Sequence, residues 1–213
     1  MVELVEAIDR ALMNWLRAID TPWLDAAMTW MSAGSGAGAI WLILAACAFA
    51  RPRDRAAAWR VILGIALAYT LVDGVVKPLV ARPRPAFADA DDSLAGSAGR
   101  PTHVAANPTA LAPKRTLPPV PRSYSFPSGH AASTFGAAMT VSRMWPQTRV
   151  VWWTLAVSIG YSRVYLGHHY PLDVVGGALL GMGLAFWVLG GRPRSTYAST
   201  LPHPLPRGVV IRP

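Results

Sequence analysis

The sequence predicts an all-α integral membrane protein, and two observations lead to that prediction. Of its 213 residues, 53% are hydrophobic and only 15% are charged, whereas soluble domains carry about 25% charged residues. The apolar residues also come in blocks of the kind that form membrane helices, and the mean hydropathy is +0.31. We therefore expect a bundle of about five to six transmembrane helices, preceded by an N-terminal amphipathic helix.

The elements follow from the spacing of the apolar residues. At the N-terminus, apolar side chains at helical spacing alternate with acids and arginines, which predicts an amphipathic helix lying at the membrane surface. This stretch lacks the basic start and unbroken apolar core of a signal peptide. Residues 23–33 are semi-apolar, and whether they cross or re-enter the membrane is left open. The predicted membrane helices cover residues 34–50, 58–80, 128–145, 150–166 and 173–190.

Two segments have the composition of chain outside the membrane. Residues 86–123 combine Pro, Gly, Ala, Ser and Asp without periodicity, which predicts a long mobile loop. Residues 192–213 are proline-rich, which predicts a disordered tail. We therefore expect one membrane domain over residues 1–191 that contains the loop. Cys47 is the one cysteine of the chain, so no disulfide forms within it.

The chain is strongly basic, with a formal net charge of +9. Its basic residues flank apolar segments on both sides of the predicted bundle, which favours the bilayer and a phosphorylated lipid over nucleic acid as partners. The dense RPRDR loop at residues 51–55 favours the cytoplasm for its side of the membrane. The opposite side, facing the periplasm or the outside, would then carry the polar motifs of the chain.

Three polar motifs fall on that side of the predicted bundle. KPLVARPRP contains Lys77 and Arg84, PSGH covers residues 127–130, and SRVYLGHHYPLD covers residues 162–173. Each has an ordinary interpretation by itself: a snorkelling lysine, arginines that signal topology, a serine helix cap, or a buried His–Asp pair. Together they bring cations, a helix N-terminus and histidines to one membrane face, which is the composition of an oxyanion site.

The residue types suggest how a phosphate would be bound and attacked. Lys77, Arg84 and Arg163 would neutralise its charge, and the Ser128 and Gly129 amides would point at its oxygens. Neutral imidazole can attack phosphorus and imidazolium can donate a proton, so the histidines supply a nucleophile and an acid. Apart from these groups the sequence has no clustered ligand set, so we expect neither a metal nor another cofactor.

The motifs resemble, in order, the Lys-x6-Arg-Pro, Pro-Ser-Gly-His and Ser-Arg-x5-His-x3-Asp signatures of the type 2 phosphatidic acid phosphatase superfamily. They run from Lys77 to Asp173. That superfamily includes bacterial lipid phosphatases and undecaprenyl pyrophosphate phosphatases. The resemblance implies a helical bundle in a bacterial inner membrane and metal-independent hydrolysis of a lipid phosphate.

The resemblance also implies a role for each motif residue. Counting five positions from Arg163 passes over His168 and reaches His169, the expected nucleophile. Asp173 would hold the other ring nitrogen of His169, as the aspartate of a catalytic triad does. His130 would protonate the leaving oxygen and then activate water. The three cations and the serine–glycine pair named above would bind the phosphate oxygens.

The substrate and two rival functions remain open at this level. Undecaprenyl pyrophosphate is the expected substrate, and phosphatidylglycerol phosphate, phosphatidate and lipid A phosphates are alternatives. Vanadate-dependent haloperoxidases share the motifs but are soluble, so the apolar segments argue against them. A non-catalytic membrane scaffold or transporter is the rival from another class, and the intact motifs argue against it. No obligate protein partner is expected.

Overall fold

The protein is described by a computed structural model that covers residues 2–19, 21–85 and 123–190. These residues form eight α-helices and no strand, so the all-α class is confirmed for this part of the chain. The predicted loop over residues 86–123, except its last residue, and the predicted tail over residues 192–213 lie outside the described residues. The helices are α1 (Val2–Leu16), α2 (Pro22–Gly34), α3 (Ala39–Phe49), α4 (Arg55–Leu71), α5 (Lys77–Val80), α6 (Gly129–Met144), α7 (Arg149–Tyr165) and α8 (Pro171–Val188).

Two of the described helices are long and apolar enough to cross a membrane. One is continuous from Pro52 to Val80, because a π-helical turn at Val72–Val76 joins α4 to α5; the other is α8. Helices α2 and α3 meet the same criterion only as a pair. Helices α6 and α7 have 16 and 17 residues, fewer than the roughly 20 that span the hydrocarbon. The integral membrane class follows from these helices, whereas a count of five to six spans stays a prediction.

The break between α2 and α3 corrects the predicted helix over residues 34–50. Gly36–Gly38 form a 3-10 turn, and α3 begins only at Ala39. The break is possible because Gly38 adopts a φ of 76°, a left-handed conformation that a residue with a Cβ rarely takes. The two helices are bent by 54°, so residues 23–33 belong to a bent pair that is either a broken span or a re-entrant loop.

Helix α6 lies at the centre of the bundle, packed by α4, α7 and α8. Its approach to α8 is close because glycines face each other across the contact. A Cβ added at Gly136 of α6 would lie 2.8 Å from the carbonyl oxygen of Gly181 in α8. A Cβ added at Gly177 would likewise overlap the carbonyl oxygen of Ser128, just before α6. The glycines of α8 therefore hold the N-terminal end of α6 close to the start of α8.

Helix α1 turns part of its polar face inward. Asp9 is 1% exposed and Arg17 is 9% exposed, whereas Leu4 and Trp15 are more than 60% exposed. The Arg17 side chain donates through Nε to the carbonyl of Tyr165, 3.0 Å away at the end of α7. The sequence predicts these charged residues on the outer, polar face of an amphipathic helix, so their burial in the structure differs from that prediction. The position of α1 at a membrane surface stays a prediction.

Candidate active site

The three motifs meet where α5, α6 and α7 end or begin, around the imidazole of His169. His169 lies in the turn between α7 and α8 and is 2% exposed. Burial lowers its pKa well below the usual 6.5, and the charges of Arg84, Arg163 and Lys77 lower it further. All three cations of the motifs are thus within electrostatic range of one ring, as the sequence predicts. The ring is neutral at pH 7.

The contacts of the His169 ring define which nitrogen carries the lone pair and which carries the proton. Nε2 lies 3.1 Å from Nη1 of Arg84. A guanidinium can only donate, so Nε2 is the acceptor and the ring proton belongs on Nδ1. Nδ1 lies 3.6 Å from Oδ2 of Asp173, which is longer than a hydrogen bond. The lone pair of His169 therefore faces a cation, while its N–H faces a carboxylate.

Arg84 is held in place by main-chain and side-chain oxygens. Nη1 donates to the carbonyl of His168 at 2.7 Å, and Nε donates to the carbonyl of Ser123 at 2.7 Å. Burial lowers the pKa of Arg84 to about 10, against the opposing effect of Asp173 and Asp73. Arg84 therefore keeps its charge at neutral pH. His168 itself is buried and contributes a carbonyl oxygen to this arrangement.

Lys77 begins α5 directly after the π-helical turn. Its ammonium is 2.5 Å from a carboxylate oxygen of Asp73, which lies one turn earlier and holds the ammonium in place. A π-helical turn shifts the helical register by one residue and often occurs at functional sites. Helix α5 ends after one turn because Ala81 adopts a φ of 50°, which leads the chain directly to Arg84.

Arg163 lies in the last turn of α7 and is 3% exposed. Its Nη1 donates to the hydroxyl of Ser32 in α2, while Nε has no hydrogen-bond partner among the residues that the structure describes. The sequence does not implicate Ser32, because a lone serine in a semi-apolar helix carries no motif. A buried guanidinium with an unused donor is suited to bind an oxyanion.

The N-terminus of α6 carries Ser128 and Gly129, the pair predicted to contact a phosphate. Ser128 caps the helix, as predicted, because its hydroxyl accepts from the Ala131 amide at 3.4 Å. Its own amide donates to the carbonyl of Asp173 at 2.9 Å. The expectation that the Ser128 amide points at a bound oxyanion is therefore wrong for this structure. Gly129 begins the helix, and His130 follows within electrostatic range of Arg163.

Asp173 has partners that the sequence does not reveal. Its Oδ2 accepts from the hydroxyl of Ser125 and from the amide of Tyr170, the latter at 2.8 Å. Its Oδ1 accepts from Nη1 of Arg82 at 2.7 Å. From the sequence, Arg82 has only the ordinary interpretation of a topology signal. The RPRP repeat shows that two arginines lie close together, but not that Arg82 reaches a carboxylate from another helix.

No group of three or more His, Cys, Asp or Glu residues within the described ranges is arranged to hold a metal ion. The site is instead dominated by cations. The expectation that the protein uses no metal stays a prediction.

Comparison with known proteins gives consistent matches. The family model described as PAP2 superfamily matches residues 57–197. An undecaprenyl-diphosphatase of Sulfolobus acidocaldarius is 44% identical over 84 residues, which are 38% of this chain and 37% of that protein. A lipid A 4'-phosphatase of Bacteroides thetaiotaomicron is 29% identical over 206 residues, covering 88% of this chain and 78% of that protein.

A solved structure resembles the fold as well. The transmembrane PAP2 type phosphatidylglycerolphosphate phosphatase of Bacillus subtilis superposes with a TM-score of 0.60 and 25% sequence identity, covering 88% of this chain and 86% of that one. The match to the Sulfolobus protein spans well under two thirds of that protein's length, at 37%. The names of these proteins also refer to different lipids.

Proposed function

Because the chain belongs to the PAP2 superfamily, we propose that it hydrolyses a phosphate monoester or pyrophosphate carried by a membrane lipid. The observation that carries the proposal is the setting of His169, a buried neutral imidazole whose Nε2 lies 3.1 Å from the guanidinium of Arg84. A nucleophile beside a phosphate-binding cation is what attack on phosphorus requires.

The proposed reaction consists of two displacements through a phosphohistidine. In the first, Nε2 of His169 attacks phosphorus, an N–P bond forms, and the bond to the leaving oxygen breaks. His130, whose protonated form the negative charge of the bound phosphate would favour, gives its proton as imidazolium to that oxygen. In the second, neutral His130 takes a proton from water while the water oxygen attacks phosphorus, and the N–P bond breaks. Because burial keeps His169 neutral, its lone pair is available for the first step.

The phosphate is bound by the surrounding cations in this proposal. Lys77, Arg84 and Arg163 contact its equatorial oxygens, and the Ser128 hydroxyl and Gly129 amide add donors from the N-terminus of α6. The three cations supply the charge that a metal ion would otherwise supply, so the proposed hydrolysis needs no metal and no cofactor.

Asp173 is proposed to orient the nucleophile. Its Oδ2 is 3.6 Å from Nδ1 of His169, and this gap would close as the imidazole gains positive charge on attack. The neighbouring His168 has no such carboxylate at the i+4 position, where Leu172 stands. This difference supports His169 as the nucleophile.

Undecaprenyl pyrophosphate is the substrate we propose first. The support is the undecaprenyl-diphosphatase similar to this chain, together with an active site that we propose faces the periplasm or the outside. Phosphatidylglycerol phosphate, phosphatidate and lipid A phosphates are the alternatives. In this proposal the motif residues bind the phosphate and not the lipid tail, so they do not discriminate among these lipids.

In the membrane, we propose residues 1–191 as a phosphatase domain of about five to six spans, preceded by the interfacial helix α1. The proposed location is a bacterial inner membrane. Exposed tryptophans on several helices, Trp15, Trp23, Trp30, Trp59 and Trp187, support anchoring at membrane interfaces. Residues 192–213 are proposed as a tail outside this domain.

Phosphate release in detergent with EDTA present tests the proposal. The lipids are undecaprenyl pyrophosphate, phosphatidate, phosphatidylglycerol phosphate and lipid A. His169→Ala should abolish release, whereas the matched variant His168→Ala, at an adjacent residue of equal burial, should retain measurable release. Loss with His168→Ala alone would assign the nucleophile to the other histidine. A folded wild-type protein that releases no phosphate from any of the four lipids would favour the scaffold or transporter interpretation.

A further inference from the structure

One guanidinium bridges two buried carboxylates beside the candidate active site. Nη1 of Arg82 is 2.7 Å from Oδ1 of Asp173, and Nη2 is 2.7 Å from Oδ2 of Asp9 in α1. Both carboxylate side chains are 0% exposed, and the Arg82 side chain is 16% exposed. Buried carboxylates are stable as anions only when paired. Arg82 therefore neutralises a carboxylate from the N-terminal helix and one from α8 together.

The contacts of Asp173 divide its two oxygens. Oδ2 accepts from Ser125 and Tyr170 and is the oxygen that faces Nδ1 of His169. Oδ1 accepts from Arg82, the one side chain among the described residues seen to bond it. Arg82 thus determines the rotation of the carboxylate plane, and with it the direction in which Oδ2 faces the imidazole.

Asp9 in turn determines where Arg82 lies. While Oδ2 of Asp9 binds Arg82, its Oδ1 accepts from the amide of Leu172 in the first turn of α8 at 3.0 Å. The Arg82 guanidinium also stacks over the ring of Tyr170, 4.1 Å from its centroid. Helix α1 is therefore attached both to the arginine and to the turn that carries Asp173.

We propose that Arg82 is a positioning residue for the reaction, held by Asp9 of α1 so that it orients Asp173 toward His169. The inference rests on the proposed function, because it assigns Arg82 and Asp9 a role in the same histidine-centred site. It makes α1 a part of that site's support, in addition to the interfacial role that is proposed for this helix.

Arg82→Gln, Arg82→Lys and Asp9→Asn test the inference. Asparagine at position 9 keeps an oxygen for the Leu172 amide but loses the ion pair with Arg82. Lysine at position 82 keeps the charge but cannot bridge two carboxylates as a planar guanidinium does. We expect kcat to fall about 10- to 100-fold in Arg82→Gln and Asp9→Asn with KM within about twofold of wild type, and by less in Arg82→Lys.

Orthovanadate binding supplies a second readout that does not depend on the lipid. Vanadate accepts a bond from an imidazole nitrogen and so reports whether His169 is correctly oriented. A positioning role weakens the Kd about tenfold or more at a stoichiometry of one per chain. A purely structural role instead lowers the stoichiometry of binding and leaves the Kd unchanged, because only the folded fraction decreases.

Matched controls remove the same charges elsewhere. Glu6→Gln removes a carboxylate from α1 that is 46% exposed and lies 3.6 Å from its helical neighbour Arg10. Arg53→Gln removes a guanidinium that is 79% exposed. Both should leave kcat and the vanadate Kd unchanged. The double variant Asp9→Asn/Arg82→Gln should lose no more kcat than Arg82→Gln alone, because Asp9 acts through the arginine.

The outcomes separate this inference from the proposed function. Wild-type vanadate affinity in both Arg82→Gln and Asp9→Asn overturns the inference even if lipid turnover and its loss in His169→Ala uphold the function. Additive losses in the double variant overturn the part assigned to Asp9. A wild-type protein without lipid turnover refutes the function, and the vanadate Kd of the variants still decides whether Arg82 orients the histidine.

Discussion

Replacing Gly181 by alanine tests whether the close approach of α6 and α8 supports the bundle. A Cβ at this position would overlap the backbone of Ala132 in α6, including its carbonyl oxygen, and backbone atoms cannot rotate aside as a flexible side chain does. Gly183, two residues further along the same helix, would place its Cβ where no heavy atom lies within 4 Å. Gly183→Ala is therefore the matched control.

Two opposing effects determine the size of the change. Overpacking a well-packed contact costs about 1–3 kcal/mol, while replacing a helical glycine by alanine stabilises the helix by up to about 1 kcal/mol. The second effect is common to both variants, so the free energy of unfolding of Gly181→Ala should be about 1–3 kcal/mol lower than that of Gly183→Ala. At about 2–4 °C per kcal/mol for a chain of this size, its Tm should be about 2–12 °C lower.

Thermal unfolding in detergent, followed by circular dichroism, measures this difference. Phosphate release per folded molecule should fall in Gly181→Ala as well, because α6 carries Ser128 and His130 at its N-terminus. Gly183→Ala should match or slightly exceed the wild-type Tm. Equal Tm values for the two variants would refute the conclusion that the glycine contact between α6 and α8 is close enough to exclude a methyl group.

Three further predictions concern the site. The pKa of His169 is lowered in the folded protein, so below pH 6.5 the unfolded chain binds a proton that the folded chain does not. Between pH 6.5 and pH 5, the wild type should therefore lose up to about 2 kcal/mol more stability than His169→Asn, as measured by thermal unfolding. Asp73→Asn should lower kcat about tenfold, because Lys77 loses the partner that holds its ammonium; an unchanged kcat would contradict this. Ser32→Ala should raise KM several-fold, roughly the effect of one lost hydrogen bond to Arg163; an unchanged KM would exclude a supporting role for α2.

The helices and motifs were accessible from the sequence because their signals are local. Hydrophobic blocks predict helices wherever they occur, and the predicted segments 128–145 and 150–166 correspond to α6 and α7 to within one residue. Ser128 is predicted as a helix cap because hydroxyl residues before an apolar run satisfy free amides. The spacing from Arg163 to Asp173 is also local, and counting along the family signature that it resembles leads to His169 and passes over His168.

The tertiary structure alone decided how charged residues from separate helices pair. Asp9 and Arg82 are 73 positions apart, and Ser32 and Arg163 are 131 apart. Such pairs depend on which helices pack together, which the periodicity of one helix does not encode. The sequence by itself therefore determined an all-helical membrane chain with a cluster of phosphate-binding residue types. Packing decided that α1 buries Asp9 and that Arg82 reaches Asp173, because a buried charge is stable only beside its partner.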